Sequence, residues 1–313
     1  MNGNKTYNKI LFPYAIIQTQ NKYKASLLMQ VFDIKNRLEP MIVKKIFSNT
    51  DIAKEFLKRF LGSIKIDFPT KSQDIYNLIV ENWNYQKALP IVRELFRETK
   101  KFKRGLHSEN MIKILLEEWK NLDFGKIDWP FSQGAFDAFV QKINSGENSR
   151  NIKDDEVKLA AVKYRRIKEI NTERNDFLES LIFEKNENII PTLSHNRGVD
   201  FFINGISFDQ KVSRSVTDKF KKDFKENWKH KAIENPKLVI KYLYEQQDEG
   251  RFGYTPRLYI VYLDEEILPM KIKETIAQTN LNTPLDITFT YKHKNIGTKT
   301  YKTQAFIILL HNL

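Results

Sequence analysis

Cysteine is missing from all 313 residues. Its absence removes disulfides, thiol nucleophiles and Cys-ligated zinc together, and it fits a reducing setting. Histidine is scarce. The five, His107, His195, His230, His293 and His311, never stand at the His-x-x-x-His spacing that would put two rings on one helical face around zinc. Glycine forms neither a Walker phosphate loop nor a dinucleotide-binding pattern, which argues against nucleotide-driven chemistry in this chain. No apolar run approaches membrane-spanning length, and "MNGNKTYNKI" lacks the apolar centre of a signal peptide. The expectation is a soluble, cytoplasmic protein without a membrane partner.

Positive charge is what the chain has in excess. Lys and Arg number 52 against 39 Asp and Glu, a formal charge of +13. Lysine-rich composition can follow genome base bias, but bias alone does not explain the missing counter-charges. A surplus of this size favours a polyanion, because each cation that neutralises a phosphate releases condensed counterions. Hydrophobic residues at 41% and aromatics at 12% suffice for a packed core.

The first half reads as helix. "ASLLMQVFDI", "DIAKEFLKRFLGSI", "DIYNLIVENW" and "SENMIKILLEEWKNL" repeat apolar residues every three or four positions, with Asp51, Asp74 and Ser108 where N-caps belong. The basic cluster "KKFKRG" at 100–105 is expected to end a helix, either to meet phosphate or to offset the helix dipole. The polar stretch "INSGENSRNIKDDE" at 143–156 is the candidate linker between a helical region, 1–145, and a second region, 146–313. In the second region a long helix, with a break expected near Asn171, leads into three extended segments: "NIIPTLS", "GVDFFI" and "ISFDQKVS". A helix striped by Val216, Phe220, Phe224, Trp228 and Ala232 comes next. Asn235-Pro236 then caps another helix, and "RLYIVYL" reads as a buried strand. "LDITFTYKH" and "TYKTQAFIILL" form a final pair about the turn "KNIG". This order predicts an α/β fold with a central mixed sheet flanked by helices.

The stretch "VDFFINGISFDQK" carries the chemistry. Asn204-Gly205 between apolar runs signals a two-residue hairpin. The register then follows: Ile203 opposite Ile206, Phe202 opposite Ser207, Phe201 opposite Phe208, Asp200 opposite Asp209. Alternation puts Val199, Phe201, Ile203, Ile206, Phe208 and Val212 on a core face, and Asp200, Asp209, Lys211 and Ser213 on the other. Two facing carboxylates repel, so a cation is needed: Lys211, or a hard divalent ion such as Mg²⁺. The competing reading is a solvated hairpin face with an ordinary ion pair.

Helix, strand, strand with Asp200, strand with Asp209-x-Lys211, helix and strand resembles the PD-(D/E)XK nuclease superfamily, over roughly residues 165–265. Val199 stands where the family's proline would be, and Gln210 fills a middle position that is commonly apolar. The resemblance implies a restriction-endonuclease-like core and catalytic roles for Asp200, Asp209 and Lys211. It also implies a metal shell of Asp200, Asp209 and the Gln210 carbonyl, and a further acid on the preceding helix. Glu179 is preferred for that acid over Glu173, being nearer the strands.

The implied activity is Mg²⁺-dependent hydrolysis of double-stranded DNA at a short specific sequence, as in a type II restriction endonuclease. A homodimer would match a palindromic site, and a cognate DNA methyltransferase would be the genetic partner. DNA contacts are expected from the helical half and from "KFKKDFKENWKHK" at 219–231. Alternatives are a repair-type nuclease, an enzyme reading modified DNA, and a catalytically silent DNA-binding protein. His195, beside the hairpin, could touch DNA but is more simply structural.

Overall fold

The computed structural model describes residues 31–47, 49–62, 66–121, 133–193, 198–264 and 267–313. Among the described residues, seven helices come first: α1 (Pro40–Phe47), α2 (Thr50–Leu61), α3 (Ser72–Asn82), α4 (Tyr85–Glu98), α5 (Lys100–Asn121), α6 (Gln133–Ser145) and α7 (Arg150–Lys185). Strands β1 (Ile189–Pro191), β2 (Phe201–Ile203) and β3 (Ile206–Ser213) follow. Helices α8 (Asp218–Phe224), α9 (Trp228–Glu234) and α10 (Pro236–Glu245) then lead to β4 (Arg257–Tyr262), α11 (Pro269–Gln278), β5 (Leu285–His293) and β6 (Gly297–Leu310). The chain is α/β. Its six-stranded sheet is mixed, ordered β1-β2-β3-β4-β6-β5, with β3, β4 and β6 parallel and the outer pairings antiparallel.

Several expectations change. Asp51 and Asp74 lie inside the first turns of α2 and α3; the cap of α2 is Asn49, whose side chain accepts from the Ile52 N–H at 3.0 Å. Ser108 sits mid-helix, its hydroxyl bonded to the Arg104 carbonyl and to Glu173. Residues 31–34 are not helical. Asp33 bridges Ile206, and the Phe32 carbonyl accepts from the Ser207 N–H at 3.0 Å. The cause is local to β3: β4 pairs only from Asp209 onward, so Ser207 takes its partner from this segment. The rest of that expected helix, and His195, fall outside the described residues.

The linker shrinks to residues 146–149, and α7 runs unbroken through Asn171. The helix expected over 219–231 is instead two short helices separated by a 3₁₀ turn, with Lys225 at φ 46°. "KKFKRG" opens α5 rather than ending a helix. Gly105 lies within α5 because α7 crosses there: a Cβ on Gly105 would stand 2.3 Å from the Asp176 carbonyl oxygen and 2.1 Å from Ser180 Oγ. Gly105→Ala is therefore expected to destabilise the protein by about 2 kcal/mol through overpacking. Thermal melting would check this, and an unchanged midpoint would refute the close approach.

Burial follows the sheet's two faces. Phe177, Leu178 and Ile182 of α7 pack with Phe201, Ile203, Phe208, Leu258 and Ile260 on one face. On the other, α1–α4 cover the β1–β2 end through Ile190 and Phe202, while α8–α10 cover the β4-β6-β5 end through Tyr259, Val261 and Ile287. Val199, expected beside Phe201, joins the α1–α4 cluster, and Val212 is exposed. Arg93 of α4 donates to the carbonyls of Asn186 and Ile189 at 3.0 and 2.6 Å, tying the helical region to β1. Among the described residues, no helix is long and apolar enough to cross a membrane.

Candidate active site

The hairpin forms in the expected register. Phe201 pairs with Phe208, Phe202 with Ser207 and Ile203 with Ile206. Asn204 and Gly205 both take positive φ, 53° and 87°, the geometry a two-residue turn demands. Strand alternation then puts Asp209, Lys211 and Ser213 on the face that carries Phe202 at one end and Tyr259 at the other. That face lies between the α1–α4 layer and the α8–α10 layer.

Asp200 stands one residue before the paired part of β2. Its own N–H still donates to the Phe208 carbonyl at 2.9 Å. Its carboxylate then takes over as acceptor for the Gln210 N–H, at 2.7 Å, where a main-chain acceptor would otherwise continue the ladder. From Asp209 onward β3 turns to β4, with the Asp209 N–H on the Pro256 carbonyl. Asp200 and Asp209 are thus held at the point where the two ladders exchange, rather than as a ladder pair.

Asp209 and Glu179 each meet a cation, whereas the Asp200 carboxylate is held by the Gln210 N–H. Lys211 Nζ lies 2.7 Å from Asp209 Oδ1, and Arg257 Nε lies 3.7 Å from Asp209 Oδ2. Arg257 is buried at the start of β4, donating to the Tyr259 hydroxyl at 3.1 Å with its guanidinium 5.0 Å over the Tyr244 ring. Glu179 of α7 is ion-paired to Lys101 in the first turn of α5. Glu173 is taken up instead by the Ser108 hydroxyl at 2.5 Å. Gln210 contributes its N–H to Asp200, and its side-chain oxygen is buried without a partner.

Burial pushes the Asp200 carboxyl above the usual carboxylate range. The Gln210 N–H opposes this, Asp209 adds to it by like-charge repulsion, and Lys211 and Lys101 pull the other way. Burial likewise raises Glu179, against the pull of Lys101 and with a push from Asp200. The sign of the linkage follows. A carboxyl raised in the folded state contributes stability that is fully present below its unfolded value, about 4, and is lost as pH rises through the folded value. Asp200→Asn should therefore raise the melting temperature at neutral pH by about 2–4 °C, with the gain vanishing in acid. Melts across a pH series test this, and a gain independent of pH would contradict it.

Lys101 and Arg257 were not singled out from the sequence, though signals existed. Lys101 lies in "KKFKRG", and Arg257 is the one charged residue opening an otherwise apolar strand. Among the described residues, no group of three or more His, Cys, Asp or Glu side chains is arranged to hold a metal. Asp200 and Asp209, which feel one another's charge, are hard oxygen donors of the type Mg²⁺ takes when waters and substrate phosphate complete its shell, so the donor chemistry fits that ion. The cleft lined by Lys185, Asn186, Asn188, Gln278 and Asn282, about 580 Å³, lies by the hairpin turn rather than at the acids. No protein-family model matches the chain, and neither a curated protein nor a solved structure does.

Proposed function

We propose that this protein is a Mg²⁺-dependent nuclease of the PD-(D/E)XK kind, a type II restriction endonuclease acting on double-stranded DNA. The observation that carries the reading is the place of Asp200 at the exchange of β2 for β4, within electrostatic reach of Asp209 and Lys211 on β3 and of Glu179 on α7. The order of α7, three antiparallel strands, a helical layer and a parallel strand supports it. So does the +13 charge, which a polyanionic substrate would offset.

Asp200 and Asp209 would hold the ion, with the Gln210 carbonyl as a further ligand. Bound there, it supplies Lewis-acid polarisation of the phosphate and a more acidic water. Lys211, half exposed beside Asp209, is free to turn to the scissile phosphate, stabilise its developing charge and orient the attacking water. Arg257 cannot turn away in the same manner and holds Asp209 from beneath. Lys222 and Lys225, exposed on the layer that flanks the acid face, would meet the DNA backbone. A two-fold dimer would serve a palindromic site, and a methyltransferase of matching specificity would protect host DNA.

The deciding experiment is digestion of long unmodified DNA with Mg²⁺, beside an EDTA control. Discrete fragments lost with EDTA are expected. A smear would point to a repair-type enzyme, and no cleavage with either Mg²⁺ or Mn²⁺ would refute the reading for unmodified DNA.

A further inference from the structure

The acid cluster is balanced by the chain's own cations. Glu179, Asp200 and Asp209 stand among Lys101, Lys211 and Arg257, which leaves the cluster without net charge. A neutral cluster offers little attraction to a bare divalent cation, whatever the chemistry of its oxygens. The three cations differ in how they are held. Arg257 is buried, bonded to Tyr259 and packed over Tyr244, so it cannot leave. Lys211 is the motif lysine and already faces outward. Lys101 comes from the helical region, on a flexible four-carbon stem, with 21% of its side chain exposed. Its partner Glu179 is only 12% exposed, and a buried carboxylate left alone is costly, so Lys101 stays until another cation replaces it.

Resting on the nuclease reading above, we propose that Lys101 is the resident counter-ion of this cluster, exchanged for the metal only when DNA enters. The incoming phosphodiester draws the lysine off Glu179, and the cluster, now one positive charge short, accepts the divalent cation at Asp200 and Asp209. Metal and DNA binding are then coupled, and the enzyme is protected from loading metal in the absence of substrate.

The test is Mn²⁺ binding followed by electron paramagnetic resonance, with and without a short DNA duplex. In the wild-type protein the duplex should tighten Mn²⁺ binding by at least about tenfold, the equivalent of one charge-assisted contact. Lys101→Met should bind Mn²⁺ about tenfold tighter than wild type without DNA, and gain less from the duplex. Lys101→Arg, which keeps the charge, should match wild type without DNA. Equal wild-type affinity with and without duplex would overturn the proposal with no variant needed. So would a Lys101→Met protein whose DNA-free affinity is unchanged. Either result leaves the nuclease reading standing, whereas no Mn²⁺ binding in any form, with or without DNA, would remove both.

Discussion

Lys211→Ala is expected to lower Mg²⁺-dependent DNA cleavage by about 10²–10³-fold, the usual loss when one transition-state charge stabiliser is removed. The side chain is half exposed and ion-paired to Asp209, so its loss costs little packing. Asp209 keeps Arg257 within 3.7 Å, and the fold should hold. DNA binding should weaken only slightly, because one phosphate contact among many is lost. Single-turnover cleavage beside a binding isotherm separates the two effects. Cleavage within tenfold of wild type would show that Lys211 has no part in the chemistry.

The largest effect on stability should come from Arg257→Met. Arg257 is buried, and removing one partner of a buried ion pair costs on the order of 3–5 kcal/mol. Three losses combine here: the ion pair to Asp209, the hydrogen bond to the Tyr259 hydroxyl, and the packing of the guanidinium on Tyr244. Burial already pushes the Tyr259 phenol up to about 12, so that ring cannot take over as an anion to mend the site. A fall in melting temperature of roughly 5–8 °C follows for a chain of this size. Adding Asp209→Asn to Arg257→Met should recover part of it, since the carboxylate then no longer lacks its buried partner. A fall under about 2 °C in the single variant would mean that Arg257 is not coupled to Asp209.

The hairpin was legible because its causes are adjacent in the chain. Asn and Gly reach positive φ at little cost, so Asn204-Gly205 set the turn, and the turn set the pairing of Phe201 with Phe208. The continuous apolar run of β4 and the alternation of β5 were legible for the same reason. Helix ends were read less well. Gly105 looked like a stop because the crossing of α7 that requires it cannot be seen from neighbouring residues. Asn171 looked like a break, yet α7 passes through it with Phe177, Leu178 and Ile182 packed on the sheet.

The amino-acid order alone thus determined the α/β class, the hairpin and the juxtaposition of Asp200, Asp209 and Lys211, all products of backbone preference and two-residue alternation. Tertiary structure decided which cations answer those acids. Lys101 reaches Glu179 only because α5 lies against α7, and Arg257 reaches Asp209 only because β4 joins β3 in parallel. Backbone geometry is governed by near neighbours, whereas the partner of a buried charge is whichever opposite charge packing brings into the same low-dielectric space.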